Sequence, residues 1–270
     1  MERARTTRKT RTTKRTTVNS EWIVPDWPAP PNVRSLLTTR DGGTSLGPYA
    51  SLNLGQHVGD DPQAVATNRA RVSERLAGAG EPLWLEQVHG TRVVDATAFS
   101  SNEAPPQADA AFSRSVGVVC VVLTADCLPV LFCDDAGSVV AVAHAGWRGL
   151  LAGVLEETIV AMAVPGHALM AYLGPAIGPQ AFAVGDEVRS AFVAVDAQAA
   201  RAFTPSLPGK WLADIYRLAR QRLAGQGVER VFGGSYCTVS EADRFFSYRR
   251  DGRTGRMAAM IWLDRESRDS

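Results

Sequence analysis

Three segments of this chain each place one metal-type ligand beside a turn. They are Gln87-Val88-His89-Gly90, Ala125-Asp126-Cys127-Leu128-Pro129 and His144-Ala145-Gly146-Trp147-Arg148-Gly149. Each candidate follows an apolar run that reads as a strand, so His89, Cys127 and His144 are expected to converge where strands end. One thiolate and two imidazoles suit Zn²⁺, and three protein ligands leave the fourth position for water or substrate. That open position separates a catalytic site from a structural one. The separations of 38 and 17 residues fit no sequence-local zinc finger, so convergence in space is inferred from strand ends.

The neighbours of these residues extend the chemistry. Asp126 is expected to orient an imidazole or carry a proton; the alternative is a turn-forming residue. Arg148, at the start of a helix between Gly146 and Gly149, offers a planar fork for phosphate or carboxylate; the alternative is a surface ion pair. The alternative for His144 is a core histidine against Trp147. Arg40, in Thr38-Thr39-Arg40-Asp41-Gly42-Gly43, is a candidate for an anionic substrate or a loop salt bridge. His57 is a fourth polar candidate, and His167, beside Gly166, reads as exposed. Cys120 and Cys133 lie inside apolar runs and read as packing residues.

These side chains need a scaffold. Trp22 to Pro31 reads as an extended lead-in, Val33–Thr39 as a first strand and Asp41–Tyr49 as a loop. Asp60-Asp61-Pro62 opens a helix continued by Val65, Arg69, Val72 and Leu76. Leu83–Val88 and Arg92–Ala96 are expected as short strands flanking His89-Gly90, and Pro105–Ala108 as a loop leading to Asp109. Val116–Thr124 is almost continuous Val, Cys and Leu, a strand buried on both faces. Val130–Cys133 and Val139–Ala143 flank a hairpin-type turn. Gly149–Ala163 is expected as one long helix, Ala168–Leu173 as a strand ending in a rigid Gly/Pro loop, and Asp186–Val195 and Leu212–Ala224 as amphipathic helices. Val228–Gly233 and Met257–Leu263 close the chain as strands, the second after a basic loop Tyr248–Arg256. No internal repeat or linker interrupts this pattern, which predicts one mixed domain over residues 22–264.

The chain has 270 residues, 45% of them apolar and 21% charged, an ordinary globular balance. It lacks an apolar stretch of membrane-spanning length and a signal-type apolar core near the start. Four cysteines without close pairing point to a reducing cytoplasm. The formal charge of +1 hides an asymmetry: residues 1–19 carry seven Lys/Arg and one Glu, leaving 22 basic and 27 acidic residues in the rest. Residues 1–21 therefore read as a disordered basic tail, either a solvated extension or a contact for nucleic acid or an anionic membrane. The acidic body has no aromatic-basic interleaving suited to single strands.

Several longer motifs now add up. Together with Ser51-Leu52-Asn53-Leu54-Gly55, Trp84-Leu85-Glu86, Leu173-Gly174-Pro175-Ala176-Ile177-Gly178 and Phe246-Ser247-Tyr248-Arg249-Arg250-Asp251, the segments above resemble the YfiH-like family. It is also called the multicopper polyphenol oxidoreductase (laccase-like) family, and is associated with purine nucleoside phosphorylase activity. The resemblance runs from about Ile23 to Leu263 and leaves out the basic tail.

It implies a single α+β domain with mixed β-sheets flanked by helices, in α/β/β/α layers. It also implies a Zn²⁺ site of His89, Cys127 and His144, a set that Cu²⁺ can also occupy. The implied reactions are phosphorolysis of adenosine, inosine, guanosine and S-methyl-5'-thioadenosine, with adenosine deamination beside them. On this reading Cys127, His144 and Asp126 are catalytic, and Arg40, Asn53 and Arg148 bind nucleoside and phosphate. Two alternatives stay open: a cytoplasmic Cys–His hydrolase that edits misbuilt peptidoglycan precursors, and a copper polyphenol oxidase. A third is a non-catalytic metal-binding protein. Four histidines in the whole chain are too few for a true multicopper site.

Overall fold

A computed structural model of the protein describes residues 22–76, 78–99 and 104–265. The basic tail expected over residues 1–21 lies outside the described residues. In chain order the strands are β1 (Val33–Leu37), β2 (Pro82–Leu83), β3 (Val93–Asp95), β4 (Ala110–Ser113), β5 (Val119–Thr124), β6 (Leu128–Asp134), β7 (Val140–Ala145), β8 (Leu169–Leu173), β9 (Ala183–Gly185), β10 (Phe203–Pro205), β11 (Lys210–Ala213), β12 (Arg230–Gly233) and β13 (Met257–Leu263). The helices are α1 (Pro62–Arg75), α2 (Trp147–Ala152), α3 (Val154–Met162), α4 (Asp186–Val195), α5 (Ile215–Gly225) and the single turn α6 (Tyr248–Asp251).

Two sheets form the body. One runs β1-β13-β5-β2 and the other β12-β8-β6-β7-β4-β3, with a small β10-β11-β9 sheet at the side. Side chains on a strand alternate between faces, and that alternation sorts the apolar residues into three layers. On β5, Val119, Val121 and Leu123 pack with Val72 and Leu76 at the end of α1, whereas Cys120 and Val122 face the other sheet. On β6, Leu131 and Cys133 join that inter-sheet layer, while Val130 and Phe132 pack under α3 and α5. Hence the α/β/β/α order. Cys120 and Cys133 are both fully buried, as their apolar context predicts. Among the described residues no helix is long and apolar enough to cross a membrane.

Most expected elements form where the pattern places them, and the exceptions have local causes. Helix α1 starts at Pro62 with Asp61 as its cap, the Asp61 carboxylate accepting from Gln63 N. The run Leu83–Val88 pairs with β5 at β2 and then only through the single bridge Glu86–Gln107, as the chain leaves one sheet for the other. There the side chain of Gln87 stands in for a strand, donating from Nε2 to Leu123 O and accepting from Leu123 N, at 2.9 and 2.7 Å. The expected helix Gly149–Ala163 is two helices, because Gly153 sits between them at φ +105°, a conformation that breaks helical continuity. The run Leu212–Ala224 begins instead as strand β11, and the helix starts after Asp214, whose carboxylate accepts from Arg217 N at 2.9 Å. The basic loop after Ser247 opens with the turn α6, capped by the Ser247 hydroxyl. Strands β4, β9 and β10 are three or four residues each, too short to show a period in the sequence.

Candidate metal centre

The three ligand candidates meet because the chain crosses between the two main sheets twice at the same end. The segment after β2 leaves the four-stranded sheet and turns at His89 before β3. The segment Ala125–Cys127 makes the same crossing from β5 to β6. His144 lies within β7 rather than after it, on the inter-sheet parity of Val140 and Val142. The β6–β7 register pairs Leu128 with Ala145, so one step further sets Cys127 opposite Gly146. An added Cβ at Gly146 would stand 2.9 Å from His89 Cδ2 and 3.0 Å from Cys127 Sγ, so only glycine lets the start of α2 lie against the ligands.

The ligand atoms of His89, Cys127 and His144 lie within 4.8 Å of one another, with Cys127 Sγ 3.8 Å from His89 Nε2. A tetrahedral zinc with Zn–S of about 2.3 Å and Zn–N of about 2.0 Å holds its ligands about 3.5 Å apart. The set fits such an ion after a small inward closure. His144 is buried and His89 exposed, so one side of the set faces outward.

Asp109 organises the group. The β4–β7 register pairs Ala110 with Ala143, and one step further sets Asp109 beside His144. The backbone N–H of His144 donates to Asp109 O at 2.7 Å, and Asp109 Oδ1 lies 2.8 Å from His144 Nδ1. That bond leaves His144 Nε2 as the ligand atom. The same buried carboxylate accepts from the backbone N–H groups of Val88, His89 and Gly90 at 3.1, 2.9 and 2.7 Å. His89 sits at φ +61°, an uncommon left-handed conformation held by these three bonds. Burial would raise the Asp109 carboxyl, but the His144 imidazole and these N–H donors hold it below its usual range. Burial would likewise raise the Cys127 thiol, yet the His144 and His89 imidazoles bring it down to about 6. His144 responds in the opposite sense: burial opposes its charge, but Cys127 and Asp109 raise it to about 9.

The centre opens into a cavity of about 500 Å³, the size of a small-molecule site. Leu123, Ile177, Phe182 and Ile215 give it an apolar wall, while Arg148, Arg249 and Arg256 bring positive charge and His57 a further imidazole. Asp126 lines it too, at φ +94°. Both Asp126 oxygens are occupied, Oδ1 accepting from the Thr238 hydroxyl and Oδ2 from Arg249 N, each at 2.6 Å. The Asp126 turn thereby fixes the loop that carries Tyr248, Arg249 and Arg256.

Residues 34–264 match the family described as Multi-copper polyphenol oxidoreductase laccase. The chain belongs to this family. The YfiH-like relatives include the Purine nucleoside phosphorylase YfiH of Escherichia coli, 57% identical over 90% of this chain and 99% of its own. A Purine nucleoside phosphorylase of Pseudomonas aeruginosa is 57% identical over 90% of this chain and 98% of its own. Among solved structures, the Neisseria meningitidis protein NMB0706 superposes with a TM-score of 0.87 at 55% identity, covering 90% of this chain and 99% of that one.

Within the YfiH-like frame, the residues singled out in the sequence separate into two groups. His89, Cys127, His144, Asp126, Arg148 and His57 meet at the cavity. Arg148 is exposed and stacks on Trp147, 4.3 Å from the ring centroid. Arg40 and Asn53 lie elsewhere. The Arg40 guanidinium donates to the backbone carbonyls of Ala50 and Ala242 and lies over Phe246. Asn53 is fully buried, bonded to Gly55, Asp60 and Arg256. Both tie loops together rather than face the cavity. Four contributors escaped sequence reasoning: Asp109, which looked like the end of a loop, Gln87, and the pair Arg249 and Arg256. For the arginines a signal existed in the charge density of the loop Tyr248–Arg256, but nothing in it said which way the side chains point.

Proposed function

We propose that this protein is a zinc-dependent purine nucleoside phosphorylase. The observation that carries the reading is a nucleoside-sized cavity in which a Cys/His₂ set, an apolar wall and arginines without an ion pair among the described residues face one another. The names of the Escherichia coli and Pseudomonas aeruginosa relatives support it. Adenosine, inosine, guanosine and S-methyl-5'-thioadenosine are the proposed nucleosides, with adenosine deamination as a second activity.

In phosphorolysis a phosphate oxygen attacks the ribose C1′. The C1′–N9 bond breaks, its electron pair leaves with the purine, and the base takes up a proton. The products are ribose 1-phosphate and free base. The apolar wall gives the purine a surface to pack on, and the cationic groups hold phosphate in line, the positioning on which this reaction depends. His89, Cys127 and His144 would hold the zinc ion, which when bound supplies a Lewis acid beside the substrate. Asp109 fixes the ring orientation of His144 and the backbone of His89, and Asp126 anchors the arginine-bearing loop. The four cysteines are free among the described residues, which agrees with a cytoplasmic site of action.

The test is base release from each of the four nucleosides by zinc-loaded protein with and without phosphate, beside a Cys127→Ala variant. Phosphate-dependent release that the variant loses supports the reading. Stoichiometric zinc with no release from any of the four nucleosides refutes it.

One observation favours a second reading. Asp109, His144 and Cys127 form an acid–base–thiol relay of the kind that activates a nucleophile, as the precursor-editing hydrolase would need. Chelation separates the two: it abolishes a zinc enzyme and frees a thiol nucleophile that alkylation then blocks.

A further inference from the structure

The cations lining the cavity are not equivalent. Arg249 Nη1 donates to Ala183 O at 2.7 Å, and its guanidinium lies over Phe182. Arg148 is exposed and spread on Trp147. Arg256 differs in depth: Arg148 and Arg249 are exposed, whereas Arg256 is half-buried, its Nη1 on the backbone carbonyls of Thr254 and Gly255 at 3.1 and 3.0 Å. Among the described residues its Nε and Nη2 find no acceptor, as those of Arg249 find none, and no carboxylate forms an ion pair with it. The cavity's carboxylate, Asp126, already spends both oxygens on Thr238 and Arg249 N.

The surroundings make this corner more positive. The Arg256 backbone is locked to the 53–55 segment: its N–H donates to Asn53 Oδ1 at 2.9 Å, and its carbonyl accepts from Leu54 N at 3.1 Å. Its stem lies across Gly55, where an added Cβ would come within 2.8 Å of Arg256 Cγ. Two residues on, His57 also faces the cavity. Behind them Arg69 donates to Leu54 O at 3.0 Å and stacks 3.9 Å over Trp84, with no carboxylate partner among the described residues. Burial, Arg256 and Arg69 all push the His57 imidazole toward its neutral form. The Cys127 sulfur and the Asp126 carboxylate favour the Arg256 charge without pairing with it, and burial outweighs them. A half-buried guanidinium with no direct ion pair is costly, and a planar fork with free N–H groups matches a tetrahedral oxyanion.

We propose that Arg256, together with His57, forms the subsite for inorganic phosphate in this cavity. The assignment rests on the phosphorylase reading and deepens it. Phosphate bound there accepts from the guanidinium, and His57 supplies a neutral N–H donor or acceptor beside it. Arg148 is then a rim residue, and Gly55 is the clearance that lets the Arg256 stem reach the cavity.

The test uses full-length, zinc-loaded protein and two readouts. Inosine phosphorolysis gives separate KM values for phosphate and inosine, and the rise of Tm with added phosphate gives binding without turnover. In Arg256→Gln we expect KM for phosphate to rise about 10- to 100-fold, the scale of losing charge-assisted hydrogen bonds. KM for inosine and the zinc content stay within about 2-fold, and the Tm response to phosphate disappears. Arg256→Lys recovers part of the loss, and His57→Ala shows a smaller effect of the same sign. If Arg256→Gln does not fold, Arg256→Lys and His57→Ala carry the test.

Unchanged phosphate KM and Tm response in these variants overturn the assignment and leave the phosphorylase reading standing. A wild-type protein that cleaves no nucleoside, yet shows a phosphate-dependent Tm lost in Arg256→Gln, keeps the subsite and rejects the reading. Loss of inosine 5′-phosphate binding in the variants with inorganic phosphate unaffected overturns the assignment in favour of a nucleotide's own phosphate.

Discussion

Asp109 Oδ1 lies 2.8 Å from His144 Nδ1, while the same carboxylate accepts the backbone N–H of His89 at 2.9 Å. One buried acid therefore sets the ring orientation of one ligand and the backbone of another. Asp109→Asn keeps the shape but loses the charge that orients His144. Zinc affinity, measured against a competing chelator, is expected to fall about 10- to 100-fold. Affinity unchanged within about 2-fold would assign Asp109 to packing alone.

The cysteines should differ sharply in reactivity. In metal-free protein, Cys127 is brought down to about 6 by its two imidazoles, so its thiolate prevails above that pH. Burial pushes the Cys120 thiol up, and Cys133 up to about 12. Iodoacetamide mapped by mass spectrometry at pH 7.5 should label Cys127 and leave Cys120 and Cys133 untouched. The Cys127 rate should climb as pH rises through about 6 and then level. Zinc should block it, and labelling of Cys127 that zinc does not suppress would exclude the thiolate as a ligand.

Gly146→Ala tests the close approach of α2. Its Cβ would meet His89 Cδ2 at 2.9 Å and Cys127 Sγ at 3.0 Å, so the ligands must part. Zinc content after mild chelation is expected to fall while secondary structure by circular dichroism is retained. Full zinc retention would show that the ligand set has slack.

Asn53 separates a structural role from a binding one. Its side chain holds Gly55, Asp60 and Arg256 from a fully buried position. Asn53→Ala leaves several of these groups unpartnered and should cost about 2–4 kcal/mol in urea unfolding. An Asn53→Ala protein of unchanged stability but raised KM for nucleoside would restore it to the binding surface.

How much of this was legible in the chain depends on the range of the interactions involved. Period-two apolar alternation, the Asp61-Pro62 cap and the unbroken apolar runs are local, so α1, β5 through β8, α4 and β13 follow from neighbouring residues. Ligand chemistry is also local: the types of His89, Cys127 and His144 and the turns beside them mark a candidate metal set, and the structure brings the three together. Convergence was not local. It needs two crossings between sheets and the β4–β7 register, which places Asp109 beside His144 across 35 residues of chain. Direction was equally hidden. Arg40 and Arg256 carry the same guanidinium on loops of similar composition, yet Arg40 gives its donors to the carbonyls of Ala50 and Ala242 away from the cavity, while Arg256 lines the cavity. Residue type decides what a side chain can do. Only the packed structure decides which of its partners are already taken, because hydrogen bonds are satisfied by neighbours in space.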